Sequence, residues 1–364
     1  MILTVLFYTL VACASIQIIY LSCFLFIFSN KKKEYSSLPE LPISVIICAK
    51  NEAKNLTNFL PSIINQQYDD FEIVLINDAS TDNTLEIMEE FSYNNSTIKI
   101  VNVENNEAFW GNKKYALTLG IKAATNEHLV FIDADCKPNS KFWIREIASQ
   151  FSKEKTIILG YGKYATKKTF VNLLVRFETL LTALQYFTYA KLGSPYMGVG
   201  RNLAYTKSEF FKTKGFINHI KVKSGDDDLF IQEAATKNNT SFTINPKSFT
   251  VSDPPLTFKA WFRQKRRHVS TASYYKFKHK FFLGIFFITK LTFFTLATIL
   301  YFLFNWKLIT PVITVYYLIF FIVFGIATKK FEEKKLIFFL PFLEIFLLLF
   351  QFSIFISNTF SKPT

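Results

Sequence analysis

The sequence predicts an α/β domain, built on a mostly parallel sheet and carried between membrane-spanning helices. Three observations lead there. Short β-branched apolar runs alternate with helix-like stretches from about residue 43 to residue 160. Acidic and amide residues gather at the C-terminal ends of those runs. Both ends of the chain are nearly uncharged over stretches long enough to cross a bilayer.

The ends come first. The chain has 364 residues, 50% of them hydrophobic, and Phe alone contributes 43. Residues 2–29 carry no charge. They lack the basic n-region and small-residue cleavage site of a signal peptide, so they read as an uncleaved anchor. Lys31, Lys32 and Lys33 follow, and basic residues favour the cytoplasmic side. Three further spans are expected near 281–304, 308–327 and 336–357. Lys290 lies inside the first of these, which leaves an interfacial helix as the other reading of that stretch. Basic residues from Lys276 to Lys280 and at Lys329, Lys330, Lys334 and Lys335 would face the cytoplasm, and Asn305-Trp306-Lys307 the outside. The expected organisation is an anchor over 1–30, a cytoplasmic domain over 31–280 and a membrane domain over 281–364. That describes an integral membrane protein, as of a bacterial inner membrane.

The net charge of +14 has a direct explanation in residues that flank the spans and meet anionic lipid headgroups. Zinc-finger spacing, a helix-turn-helix signal and an RNA-binding aromatic motif are all missing, so no nucleic-acid partner is expected. Four cysteines, Cys13, Cys23, Cys48 and Cys136, have neither metal-ligand spacing nor the pattern of a disulfide framework.

In the middle, strands are expected at Ile43–Cys48, Glu72–Asn77, Ile98–Val103, Leu129–Ile132 and Thr156–Gly160. Helices are expected near 54–66, 82–92, 112–124 and 140–151. This alternation argues for βαβ units, and the continuous apolar strands argue that both sheet faces are covered. Residues 168–190 read as an amphipathic helix that rests on the membrane surface, since Arg176 and Glu178 suit a span poorly.

Ligands of such sheets bind at the carboxyl ends of the strands. Those ends carry Ala49-Lys50-Asn51-Glu52, Asn77-Asp78-Ala79-Ser80-Thr81-Asp82 and Asp133-Ala134-Asp135. Asp and Asn also make turns and helix caps, which would account for Asp82 by itself. Three such loops converging on one crevice point to a ligand. Neither G-x-G-x-x-G after the first strand nor G-x-x-x-x-G-K-[ST] is present, which argues against a dinucleotide oxidoreductase or a P-loop ATPase. Two acids one residue apart can instead hold a hard divalent cation that bridges a diphosphate.

Taken in order, these motifs resemble those of the inverting, membrane-bound family 2 glycosyltransferases, relatives of the cellulose, chitin and hyaluronan synthases. The resemblance covers residues 40–270. It implies a GT-A fold, that is, a Rossmann-like nucleotide-diphospho-sugar transferase domain, with flanking transmembrane helices. AKNE matches the turn after the first strand, which implies that Asn51 and Glu52 lie at the nucleotide sugar. DASTD matches the nucleobase loop, so Asp78 would meet a uracil edge. GNKKYAL places Lys113 near the nucleotide. Asp133 and Asp135 match the Asp-x-Asp motif, which implies that Asp135 ligates Mn²⁺ or Mg²⁺ and that Asp133 sits near the ribose or the metal.

SGDDDLF, residues 224–230, matches the segment that carries the catalytic base. Counting back from Leu229 gives Asp226, and a register one residue later gives Asp227. QKRRH, residues 264–268, resembles a Gln-x-x-Arg-Trp motif in which Gln264 and Arg267 fit and His268 replaces the Trp. That replacement puts a long polymerising channel in doubt, while Arg267 keeps its implied role of neutralising the leaving diphosphate. MGVGRNLAY, residues 197–205, would bring Gly200, Arg201 and Asn202 to the acceptor and donor sugars.

The expected reaction is therefore a single displacement from a UDP-sugar to a hydroxyl of a lipid-linked or glycan acceptor. The other readings are transfer to a polyprenyl phosphate and a non-catalytic membrane scaffold. A transporter would need polar residues buried in its spans, for which Lys290 and Glu344 are the few candidates.

Overall fold

The computed structural model describes residues 1–29, 41–104 and 113–361. Lys31, Lys32 and Lys33, with Gly111 and Asn112 of the GNKKYAL segment, lie outside the described residues. The chain divides into two compact units. One comprises Lys32–Lys168 and Tyr189–Pro255, and the other Met1–Lys31, Thr169–Thr188 and Leu256–Thr364. Segments 169–188 and 256–280 thus group with the apolar helices, whereas the sequence reading assigns both to a domain over 31–280.

The first unit is built on a sheet. In chain order its strands are β1 (Ile43–Ala49), β2 (Phe71–Asp78), β3 (Ile98–Val103), β4 (His128–Phe131), β5 (Cys136–Pro138), β6 (Ile157–Leu159), β7 (Gly162–Tyr164), β8 (Leu203–Thr206), β9 (Thr240–Phe242) and β10 (Thr250–Ser252). Seven form one sheet in the order β3-β2-β1-β4-β8-β6-β9, and β5-β10-β7 form a second, small sheet. β1 pairs in parallel with β2 and with β4, so Ile46 stands between Val74 and Phe131. β8 runs antiparallel between β4 and β6. Helices cover β1, β2 and β4: Val45, Ile47, Ile73, Leu75 and Val130 share one core with Leu56, Leu60, Met88 and Trp143. Gly120, on helix Lys113–Ala123, lets that helix press onto β2, since a Cβ there would stand 2.1 Å from the Ile76 side chain.

The second unit is helical. Ile2–Ser29, Phe277–Leu303, Trp306–Lys330 and Lys334–Phe360 are each long and apolar enough to cross a membrane, with mean hydropathy of 1.9 to 2.3. These are the features of a membrane protein. The Lys290 segment is one unbroken helix of 27 residues. Its ammonium is neutralised by Glu344 at 2.7 Å, and the Tyr316 hydroxyl donates to the same carboxylate. Gln17 ties Ile2–Phe24 to Phe277–Leu303 by donating to the Phe286 carbonyl at 2.8 Å.

Helix Phe170–Lys191 corrects the expectation of a surface-resting helix, for most of its residues are buried. Arg176 and Glu178 turn inward because each has a partner. Arg176 Nε donates to Glu333 Oε2 at 2.7 Å, and Glu178 meets Lys265 at 2.6 Å.

Candidate functional site

In the main sheet β2 and β3 lie to one side of β1 and β4 to the other. Chain connections therefore diverge between the ends of β1 and β4, and this switch point opens a crevice. The loops that line it are stitched together. Asn51 adopts a left-handed conformation, φ 58°, which Asn tolerates better than most residues. Its side-chain oxygen accepts from the Thr81 amide at 2.8 Å, and its own amide donates to Ser80 Oγ at 3.0 Å. The Glu52 amide donates to Thr84 Oγ1 at 2.8 Å. The turn after β1 thereby fixes the loop after β2, where Asp78 is buried at the strand end. Burial, with Asp135, Asp133 and Asp82 nearby, raises the pKa of Glu52.

Asp133, just past β4, and Asp226, in the loop before helix Asp228–Ala234, meet on one side chain. Lys113 Nζ stands 3.0 Å from Asp133 Oδ1 and 3.0 Å from Asp226 Oδ2. Burial would lower the lysine pKa, but the two carboxylates outweigh it and hold the ammonium charged. Burial would likewise raise Asp226, and Lys113 reverses that, so Asp226 stays ionised. Cys48, Gly200, Tyr205 and Asp227 complete the polar lining of the cleft.

Asp227 is held differently. One of its oxygens accepts from the Gly200 amide at 2.8 Å, and the other from the Asp228 amide at 2.7 Å, as the cap of helix Asp228–Ala234. Burial, then the charges of Asp226 and Asp228, push its pKa up to about 7. Gly225 makes the preceding turn at φ 86°, where a side chain would be strained.

Asp133, Asp135 and Cys136 bring three donor atoms within 4.8 Å of one another. Burial and the two acids push the Cys136 thiol well above its usual range, so it stays protonated and donates to Asp135 Oδ1 at 3.2 Å. What remains for a cation is a pair of carboxylate oxygens, a donor set that suits Mg²⁺ or Mn²⁺ better than Zn²⁺. Desolvation and the Asp133 charge raise the pKa of Asp135, and a divalent cation would relieve that repulsion. The residues present fit such an ion.

Gly200 lies beside both acids: a Cβ there would be 3.6 Å from Asp227 Oδ2 and 3.7 Å from Asp226 Oδ2. Arg201 stacks on Tyr164 at 4.2 Å and donates to Ser252 Oγ at 3.1 Å, and its charge is felt at Asp135. Asn202 corrects the expectation of an acceptor-binding amide, because it is fully buried and its amide is spent. Its nitrogen donates to the Tyr161 and Ser248 carbonyls at 2.9 and 2.8 Å, and its oxygen accepts from Trp143 Nε1 at 3.1 Å. It holds the loop that presents Gly200 and Arg201. Gln264, Arg267 and His268 sit on helix Phe258–Ser270 of the helical unit, with Arg267 and His268 exposed.

Sequence reasoning missed Lys114. It is 1% exposed, and its ammonium donates to the carbonyls of His219 and Val222 at 2.8 and 3.0 Å. It thereby anchors the loop that leads to Asp226. A signal existed: Lys114, Leu117 and Ile121 recur at helical spacing, so this lysine lies on the apolar face.

The chain is similar to known proteins over much of its length. Residues 44–211 match the profile described as "Glycosyl transferase family 2", and residues 128–326 match "Glycosyl transferase family group 2". The 4,4'-diaponeurosporenoate glycosyltransferase of Staphylococcus haemolyticus is 28% identical over 195 residues, 52% of this chain and 50% of that protein. The probable glycosyltransferase YdaM of Bacillus subtilis is 28% identical over 288 residues, 73% of this chain and 66% of that one. The chain thus spans less than two thirds of the length of either relative. Among solved structures, the mannosyltransferase PcManGT from Pyrobaculum calidifontis, in complex with GDP-Man and Mn²⁺, superposes with a TM-score of 0.59 at 14% identity. That match covers 96% of this chain and 99% of the other.

Proposed function

Because this chain belongs to glycosyltransferase family 2, a nucleotide-sugar-dependent class of enzyme, we propose that it is a membrane-anchored, inverting, metal-dependent transferase. It moves a sugar from a UDP-sugar to a hydroxyl of a lipid-linked or glycan acceptor at the inner leaflet. The observation that carries this reading is the meeting of Asp133 and Asp226 on Lys113, beside Asp135 and at the switch point of the sheet.

Roles follow from chemistry. Asp135 and Asp133 would hold a divalent cation, which would supply positive charge against the donor diphosphate. The solved mannosyltransferase is in complex with GDP-Man and Mn²⁺. Asp78, buried at the end of β2, receives the nucleobase, and Asn51 fixes its loop. Asp226 is the general base, and it must come within about 3 Å of the acceptor hydroxyl to take its proton. Its carboxylate is ionised and bound by a displaceable ammonium, whereas both oxygens of Asp227 are committed to backbone amides. Attack from the side opposite the leaving diphosphate inverts the anomeric carbon. Arg201 lies on the Asp135 side, where its positive charge would meet the negative charge of the departing diphosphate.

Steady-state kinetics of Asp226→Asn and Asp227→Asn test the assignment. Loss of a general base lowers kcat by about 10²- to 10⁴-fold. We expect that loss for Asp226→Asn with KM for the donor little changed, and a smaller loss for Asp227→Asn. Full activity of Asp226→Asn would refute the base and favour a lipid phosphate acceptor, which needs none.

A further inference from the structure

Lys113 touches two carboxylates that the proposed reaction uses for different purposes. Its Nζ is 3.0 Å from Asp133, a cation ligand in that reading, and 3.0 Å from Asp226, the base. We propose that Lys113 couples cation binding to donor binding. In the donor-free cleft it occupies the Asp133 carboxylate and opposes a bare divalent cation there. When donor and cation arrive together it transfers to the diphosphate and uncovers Asp226. The inference rests on the reading of Asp133 and Asp135 as cation ligands.

The physical reason is charge crowding. A divalent cation on Asp133 would stand a few ångströms from an ammonium that shares the same carboxylate, in a half-buried cleft where repulsion is screened less than in water. The diphosphate supplies the negative charge that lets both cations stay. A lysine suits the transfer, because its ammonium is a compact charge with three donors on a flexible stem. The adjacent Lys114 makes the contrast: its ammonium is sealed onto two backbone carbonyls and does a structural job. The Lys113 side chain remains 38% exposed and, among the described residues, bonds to Asp133 and Asp226, groups that the ligands would claim. Release of the 3.0 Å contact with Asp226 then leaves the base available only once the donor is in place.

The test is Mn²⁺ binding, read by electron paramagnetic resonance of the free ion. It uses the full chain in nanodiscs, with and without UDP. Relieving the competition should tighten bare Mn²⁺ binding by roughly tenfold, within the usual range of coupling between sites. Lys113→Met and Lys113→Gln are both expected to show that gain and to lose most of the further tightening by UDP, while Lys113→Arg behaves as the parent. Two neutral variants guard against a folding defect in one, and thermal melting confirms that each is folded. Folded neutral variants whose bare Mn²⁺ affinity is unchanged or weaker would overturn the coupling. Asp135→Ala separates the two readings. If it abolishes Mn²⁺ binding and the lysine variants gain nothing, the coupling fails and the metal site stands. If it leaves Mn²⁺ binding intact, the metal reading fails and the coupling falls with it.

Discussion

Asp227 shows what a single carboxyl group in this cleft implies for stability. Its pKa is about 7 in the fold, against an ordinary value of 3.8, raised by burial and by Asp226 and Asp228. Between about pH 4 and pH 7 the folded protein therefore binds more protons than the unfolded chain, and stability falls as pH rises through that window. Asp226 works in the opposite sense. Its folded pKa is depressed, so its stabilisation is present above 3.8 and is lost as pH falls through its folded value. Asp227→Asn keeps an oxygen for the Gly200 amide and removes the titration. Melting temperature measured from pH 4 to pH 8 is expected to decline less in that variant than in the parent. An unchanged decline would assign the pH dependence to another group. The acids themselves were legible in the sequence, since carboxylates at the ends of buried strands need a partner. The roles of Lys114 and Asn202 were not, because whether a polar side chain is spent inside the loop scaffold depends on carbonyls distant in sequence.

Among elements, helix Phe170–Lys191 is the instructive case. Its charged residues argued for a wet face, and pairing with Glu333 and Lys265 buried them instead. Removing one member of a buried pair costs about 3–5 kcal/mol, because the other charge is left uncompensated. Arg176→Met is expected to lower stability in detergent by that order, and adding Glu333→Leu to recover much of it. Urea or thermal melts of the single and double variants check this, and equal losses in both would show that the pair matters only for packing. The strands repeat the lesson on the side of local signal. β1 to β4 announce themselves by runs of β-branched and apolar residues bounded by turns. β5, β7, β9 and β10 have three residues each and lack the apolar run that marks the equally short β6 at Ile157-Ile158-Leu159. β8 begins inside MGVGRNLAY, where the sequence reading expects ligand contacts and no strand, and its pairing with β4 and β6 is set by tertiary contacts.

At the scale of the molecule, the strand order puts the loops after β1, β2 and β4 at one crevice, and the crevice holds the acids. The alternation of strands and helices predicts such a crevice before any coordinate is known, which is why the class of chemistry could be read so far ahead. The four apolar helices were legible for a similar reason, since a bilayer demands length and apolarity whatever the tertiary contacts. The acceptor is harder to read, because acceptor recognition depends on side-chain placement across several loops. The central claim is a metal-dependent transferase that acts on a nucleotide sugar. Nucleotide release tests it most directly, with the purified protein in nanodiscs, Mn²⁺, lipid extract as acceptor and a panel of UDP- and GDP-sugars. The account predicts release from a UDP-sugar that requires the metal and vanishes in Asp135→Ala. Release that persists in Asp135→Ala or in chelator, or no release from any donor in the panel, would contradict it.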